Sequence, residues 1–152
     1  MPRYFLSLLA ISLTLPLAGL SSLEAQAPRR YIEARMASDT AALPFSAGVL
    51  VGNTLYLSGK IGLTPERLVP ATPAEEARLV LDDVKRTLEA AGMSMDDLVS
   101  VQVFCSDVSH YDSFNRVYRT YFTKEFPARA FLGSGPLLFG ARFEVQGIAV
   151  KR

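Results

Sequence analysis

The chain has 152 residues, with 16 Lys or Arg, 15 Asp or Glu and one His, so its formal net charge is +1. This balance argues against the basic surface of a nucleic-acid-binding protein and against an acidic, disordered chain. A single cysteine, Cys105, and a single histidine, His110, exclude an internal disulfide and disfavour the common zinc ligand sets. No glycine-rich nucleotide motif follows a strand, so we expect neither a metal nor a cofactor.

The first 27 residues are predicted to be a secretory signal peptide. Met1-Pro2-Arg3 is a short basic start, an apolar run extends from Tyr4 to Leu20, and Ala25-Gln26-Ala27 has the small residues of a cleavage site. The run approaches the ~20 apolar residues that a spanning helix needs, so an uncleaved anchor is the alternative. After cleavage we expect an exported protein, periplasmic or secreted, with no stable membrane association. The remaining residues, 28–152, have the size of one domain.

Three strands are predicted ahead of the first helix. The first is expected from Tyr31 to Ala37. The apolar runs Ala47 to Val51 and Thr54 to Ser58 flank Gly52-Asn53, which is a compact turn sequence. These two runs should therefore pair as a hairpin.

The first helix has a well-defined predicted start. Thr72-Pro73-Ala74-Glu75 supplies an N-cap residue, a first-turn proline and a capping-box glutamate, and Gly92 is placed to end the helix in left-handed geometry. The apolar residues between these limits follow helical spacing, so one face should pack against a sheet. They are Ala77, Val80, Leu81, Val84, Leu88 and Ala91.

A further strand and helix follow. Leu98 to Ser106 alternates as a strand does, which predicts Val99, Val101, Val103 and Cys105 on its buried side. A second helix is expected from Ser109 onward, because aromatic and apolar residues recur there at intervals of three and four. That stripe consists of Phe114, Val117, Tyr118, Tyr121 and Phe122. We interpret it as part of the core.

The last two predicted strands, Ala128 to Leu132 and Ala141 to Val150, complete the order β-β-β-α-β-α-β-β. This order predicts a single α+β domain, with a mixed sheet and two helices on one face. With helices on one face, the sheet would still carry apolar residues such as Val145, Ile148 and Val150 on strands whose two faces both need cover, so the uncovered face would meet further subunits.

Arg129 and Glu144 stand on these two strands and suggest a chemistry. Pro127 favours extended geometry before it, so Arg129 emerges at a strand start with a defined direction. A guanidinium grips a carboxylate through two parallel hydrogen bonds, and a nearby carboxylate can deprotonate water, so the pair suggests hydrolysis of a small acid. The alternatives are a surface or ion-pairing role for Arg129, and for Glu144 an edge carboxylate in water or bonded to Arg142.

Short motifs follow one another over the region from Pro44 to Arg152. They are Ser58-Gly59, Glu89-Ala90-Ala91-Gly92, Asn115-Arg116-Val117-Tyr118, Phe126-Pro127-Ala128-Arg129 and the final strand from Phe143 to Val150. Together they resemble the RidA/YjgF family of enamine/imine deaminases, some members of which are labelled endoribonucleases. The resemblance implies a chorismate-mutase-like α+β fold, assembled as a homotrimer with three clefts between subunits.

The resemblance also implies roles for individual residues. In the family, the arginine that matches Arg129 binds the substrate carboxylate, and the glutamate that matches Glu144 activates the hydrolytic water. Ser58, Gly59 and Asn115 match positions that line the cleft. Their alternatives are a strand-ending turn and an ordinary exposed asparagine at a helix start.

Departures from the family pattern occur around the same pocket. Phe45 follows Pro44 where many members have tyrosine, Lys60 replaces the usual glutamine, and Phe131 stands where many deaminases have cysteine. We expect Phe45 and Phe131 to line the pocket, and we expect the three changes to add bulk and positive charge. A substrate other than simple 2-aminoacrylate would fit this difference.

Two classes of function follow from the sequence. The first is an exported deaminase that hydrolyses small imino or enamine acids to 2-keto acids and ammonia. The second is a non-catalytic trimer of the same fold that binds a small carboxylate or another protein. Retention of both Arg129 and Glu144 favours the enzyme, and the balanced charge gives an endoribonuclease little support.

Overall fold

In the part of the chain that the structure describes, six strands form one sheet, and two helices cover one of its faces. The computed structural model describes residues 27–33 and 43–152. The elements are β1 (Arg29–Ile32), β2 (Gly48–Val51), β3 (Thr54–Ile61), α1 (Pro73–Ala90), β4 (Leu98–Cys105), α2 (Tyr111–Tyr118), β5 (Ala128–Gly133) and β6 (Phe143–Val150). The strand order is β1-β2-β3-β6-β4-β5, and β4 and β5 form the parallel pair in an otherwise antiparallel sheet. The predicted α+β class is confirmed.

Some predictions fall on residues outside the described ranges. These are the predicted signal peptide up to residue 26 and positions 34–37 of the predicted first strand. Among the residues that are described, no helix is both long and apolar enough to cross a membrane.

Both ends of α1 are held by polar contacts. Thr72 Oγ1 accepts a hydrogen bond from the Glu75 amide at 3.3 Å, and Glu75 Oε2 accepts one from the Thr72 amide at 3.0 Å, so the predicted capping box is confirmed. Gly92 follows the helix at φ +76°, as predicted. The Arg30 side chain on β1 donates to the Ala90 carbonyl at 2.9 Å, which places a cation at the negative end of the helix dipole.

The core lies between the helices and one sheet face. All the apolar positions predicted for α1 are buried, and so are Phe114, Val117 and Tyr118 of α2. The α2 helix begins at Tyr111 after a short 3₁₀ turn, Val108–His110, so it starts slightly later than predicted. Tyr121 and Phe122 lie beyond its end but still pack against the core.

A bulge near the start of β4 shifts the alternation of side chains, so it differs there from the predicted one. Leu98 pairs with Ala149, whereas Ser100 pairs with Ile148, so β4 carries one extra residue at Val99. The Val99 side chain is 48% exposed, and Leu98 takes the buried side instead. The prediction for Val99 was therefore wrong, because alternation cannot be counted through a bulge.

A second bulge lies in β3. Leu57 pairs with Gly147 and Lys60 pairs with Val145, so Ser58 and Gly59 together stand against one residue of β6. The strand continues to Ile61, which rules out Ser58-Gly59 as a strand-ending turn. Because the bulge shifts the alternation by one residue, Lys60 turns toward the helices and is buried.

A buried carboxylate joins α1 to the start of β6. Glu76 is fully buried; its Oε1 accepts from the amides of Arg142 at 2.5 Å and Phe143 at 3.0 Å, and its Oε2 accepts from Arg142 Nη1 at 2.8 Å. The proposed bond between Arg142 and Glu144 is therefore absent, because Arg142 is bonded to Glu76 instead. These contacts fix the point at which β6 begins, one residue ahead of Glu144.

We predict that Glu76→Ala lowers the free energy of unfolding by about 3 kcal/mol, because it leaves the Arg142 guanidinium and two amides without their acceptor. Urea denaturation would measure the change. The matched control is Glu89→Ala, which removes an exposed ion pair with Lys85 and should cost less than about 0.5 kcal/mol. Equal stability of the two variants would contradict the role given to Glu76.

Candidate active site

Arg129 faces the helices from the edge strand β5. It pairs with Val101, and Phe131 pairs with Val103; both valines are buried in the core under the helices. Since paired residues share a sheet face, Arg129 and Phe131 also face the helices. Arg129 Nη2 donates to Asn115 Oδ1 at 2.7 Å, and Asn115 is itself buried on α2. The structure therefore brings together three of the predicted site residues, and Asn115 is not the exposed asparagine of the alternative reading.

Aromatic rings surround the Arg129 guanidinium. Its Cζ lies 4.5 Å from the ring centroid of Tyr118, 5.8 Å from that of Phe131 and 5.9 Å from that of Tyr111. These distances are typical of cation–π contacts, which orient the guanidinium without using its N–H donors. No carboxylate in the described ranges pairs with Arg129. The guanidinium thus retains donors for an external carboxylate.

Tyr118, whose ring contacts the Arg129 guanidinium, is uncharged near neutral pH. Burial raises the pKa of Tyr118 to about 12, and the neighbouring Arg129 charge opposes that rise only in part. The Tyr118 hydroxyl is buried and has no hydrogen-bond partner in the described part of the molecule. Sequence reasoning had assigned Tyr118 to the core only. Its spacing of three from Asn115 places both on one face of α2, and this spacing could have indicated the contact with Arg129.

Glu144 faces away from the helices. Its neighbours Phe143 and Val145 are buried in the core, so alternation along β6 directs Glu144 to the opposite face. It pairs with Phe104 on one side and Ile61 on the other. In residues 27–33 and 43–152, no hydrogen bond or ion pair holds its carboxylate. Glu144 is half-buried, and its carboxylate oxygens have no partner among these residues.

Gly59 lies directly against the Glu144 side chain. A Cβ placed on Gly59 would overlap Glu144 Oε1 and would lie 2.9 Å from Cδ. A side chain at Gly59 would push the Glu144 carboxylate out of its present position, and the β3 bulge brings the glycine backbone to this position. The bulge therefore shapes the surroundings of the Glu144 carboxylate.

Ser58 connects this region to the loop before β2. Its Oγ donates to the Ser46 carbonyl at 2.6 Å, and its amide donates to the Ala47 carbonyl at 3.1 Å. Phe45 immediately precedes Ser46 and is 53% exposed. The Ser58 hydroxyl thus anchors the loop that carries Phe45.

The predicted site residues form two groups within one chain. The arginine lobe consists of Arg129, Asn115 and Phe131, on the helix side of the sheet. The glutamate lobe consists of Glu144, Gly59 and Ser58, with Phe45 on the adjoining loop. The structure does not join the two lobes in a single chain, because they lie on opposite sides of the sheet.

Lys60 differs from its predicted role. We expected it to add positive charge to the pocket, but its side chain is buried beneath α1, with Nζ 3.9 Å from Asp83 Oδ2. Burial is the main cause that lowers the pKa of Lys60, partly offset by the Asp83 charge. The bulge accounts for the difference, because it moves Lys60 to the helix side.

Comparison with known proteins identifies the family. The model of the endoribonuclease L-PSP family matches residues 36–151. A 2-iminobutanoate/2-iminopropanoate deaminase of Bos taurus is 39% identical over 110 residues, which are 71% of this chain and 80% of the bovine protein.

Solved structures agree with this match. The crystal structure of the YjgF gene product of E. coli has a TM-score of 0.72 and 35% identity, and it covers 81% of this chain and 100% of that chain. E. coli TdcF with bound serine has a TM-score of 0.73 and 29% identity, again covering 81% of this chain and 100% of that chain. The chain therefore belongs to the endoribonuclease L-PSP family, which is the RidA/YjgF family that its motifs resemble.

Proposed function

We propose that this protein hydrolyses reactive imines and enamines of small amino acids to 2-keto acids and ammonia. The observation that carries the proposal is that Asn115 and the Tyr118 ring orient the Arg129 guanidinium while no carboxylate of the described residues pairs with it, and that the Glu144 carboxylate has no hydrogen-bond or ion-pair partner among those residues. Relatives from Bos taurus and E. coli, at 39% and 37% identity, are named 2-iminobutanoate/2-iminopropanoate deaminases, which supports the same reaction class.

Arg129 binds the substrate carboxylate in this proposal. The hydrogen bond to Asn115 and the ring of Tyr118 fix the plane of the guanidinium before substrate arrives. A bidentate pair with a carboxylate then costs little further ordering of the side chain. The low polarity of the rings strengthens the charge–charge attraction.

Glu144 acts as the general base. It accepts a proton from water as the water oxygen forms a bond to the imine carbon, and it passes this proton to the imine nitrogen, which gives a carbinolamine. The carbinolamine hydroxyl then gives its proton to Glu144, which passes it to the amino nitrogen; the carbonyl bond forms as the C–N bond breaks, and ammonia leaves with the electron pair of that bond. One water is consumed, and one keto acid and one ammonia are formed. An enamine enters the same sequence after tautomerising to the imine.

We infer that the complete site forms between subunits of a homotrimer. One chain presents Arg129 and Glu144 on opposite faces of the sheet, so a substrate that touches both needs the arginine lobe of one subunit and the glutamate lobe of another. The uncovered face supports assembly, because Val49, Tyr56 and Ile148 form an apolar row across it and Tyr56 is 51% exposed.

A non-catalytic role is the second candidate. The E. coli TdcF structure contains serine, which is an amino acid rather than an imine. A cleft that binds a small carboxylate through Arg129 without turning it over would use the same arginine lobe. Phe45 and Phe131, which alter the pocket relative to many family deaminases, fit this candidate as well.

We also propose that the protein is exported and that its first 27 residues are removed. The sequence features at Met1-Pro2-Arg3, the apolar run and Ala25-Gln26-Ala27 support this. The proposed substrate would then be encountered outside the cytoplasm.

We predict that Glu144→Gln lowers kcat by about a hundredfold or more while leaving KM nearly unchanged, because the amide keeps the shape but cannot accept the proton. The assay generates imino acids in situ with an amino-acid oxidase and follows their capture by semicarbazide. Exposed Glu125→Gln serves as the matched control and should behave as wild type. Full turnover by the Glu144→Gln variant would refute the proposed base.

A mixing experiment tests the shared site. Arg129→Ala and Glu144→Gln proteins are each inactive, but equal amounts unfolded and refolded together should recover about a quarter of wild-type activity, because half the arginine lobes and half the glutamate lobes are intact. Activity of each protein refolded alone is the control. If the mixture stays as inactive as its components while trimers form, the site is not shared between subunits.

Mass spectrometry of the protein secreted by its native host should show a mature chain beginning at Pro28. Export signals are cleaved after the second small residue of the A-x-A site. A peptide that begins before Tyr4 in the mature protein would contradict signal removal.

A further inference from the structure

Lys60 is a buried lysine on the underside of the β3 bulge. Its side chain is 8% exposed, and its ammonium reaches Asp83 on α1, whose side chain is 35% exposed. Asp83 also accepts a hydrogen bond from the exposed Arg86 side chain at 3.1 Å. Lysine is seldom buried without a paired group, so this contact needs a physical reason.

The position of Lys60 in the strand supplies that reason. It is the first residue after the bulge to regain pairing with β6, where it stands opposite Val145. Gly59, the residue before it, lies against the Glu144 carboxylate. A strand of alternating side chains can slip by one residue unless something fixes its register. A slip of this kind would move Gly59. The contact of the adjacent Lys60 side chain with Asp83 on α1 opposes such a slip.

We propose that the Lys60–Asp83 pair is a positioning device that holds the β3 bulge in register and thereby orients the Glu144 carboxylate. This inference rests on the proposed function for its effect on turnover, but its structural part can be measured separately. Lys60 is a positioning residue here, because it acts on Glu144 through Gly59 and touches no substrate.

The expected effect on Tm distinguishes this positioning role from simple stabilisation of the fold. Burial lowers the pKa of Lys60 below its ordinary value, so the protonated ammonium costs stability at neutral pH; that cost falls as pH rises from the lowered pKa toward the ordinary one and is gone above it. Replacing the lysine by an apolar side chain of similar length removes the cost. Asp83 remains partly exposed and keeps Arg86, so it is not left as an unpaired buried charge. Lys60→Met should therefore leave Tm unchanged or raise it.

The activity test is a double-mutant cycle on the full chain. Lys60→Met should lower kcat about tenfold with KM unchanged, because the base is displaced while the arginine lobe is intact. In the Glu144→Gln background the same substitution should cost nothing further. Asp83→Asn, which keeps the lysine, should repeat the effect, and Arg86→Gln should leave kcat unchanged. An equal loss in both backgrounds, or kcat of both pair variants within about twofold of wild type, would overturn the proposal.

A second readout does not depend on catalysis. In protein labelled with carboxyl-¹³C glutamate, the Glu144 resonance is assigned by its absence in Glu144→Gln. It should shift in Lys60→Met and in Asp83→Asn and stay in place in Arg86→Gln. An unmoved Glu144 resonance in both pair variants overturns the inference. A moved resonance in a protein without imine hydrolysis supports the positioning role and rejects only the proposed function.

Discussion

Alternation of side chains across a strand is the constraint on which the function of this protein depends. Arg129 on β5 shares a face with Val101, whereas Glu144 on β6 lies between two core residues and points the other way. No rotation of these side chains brings them together within one chain, because the backbone of the sheet separates its two faces. The proposed reaction uses both groups, so the proposed catalysis depends on the proposed assembly.

The two helices divide the support of the two lobes. The second helix, α2, holds the arginine lobe through Asn115 and Tyr118. The first helix, α1, supports the strands on either side of Glu144: Glu76 fixes the start of β6, and Asp83 meets Lys60 below the bulge of β3. Both contacts pair charged groups in or at the edge of the core. A charged pair needs a defined partner at a defined distance, so it constrains the position of a strand more than apolar packing does.

The element order, the capping box and the core faces of the helices could be predicted from the sequence, because they depend on residues close together in the chain. The bulges at Val99 and at Ser58-Gly59 could not, since each depends on how a distant strand pairs with it. The burial of Glu76 could not be predicted for the same reason. In the sequence it is an acidic residue in a first helical turn, and its burial depends on Arg142, which lies 66 residues away. Motif resemblance supplied roles for Arg129 and Glu144, but it carried no information on the register that places Lys60 on the helix side.

The two titratable core groups near the arginine lobe, Tyr118 and Cys105, are unsuited to act as a base. Tyr118, which has the ring nearest the guanidinium, has its pKa raised by burial to about 12 and so remains protonated near neutral pH. Cys105 on β4 has a thiol whose pKa burial raises, and it donates to the Asp107 carbonyl at 2.9 Å. Neither group can serve as the base for water, although both lie in the core shared with this lobe. The lobe is therefore suited to hold a carboxylate beside neutral rings, and in the proposed mechanism the proton acceptor is the Glu144 carboxylate of the glutamate lobe.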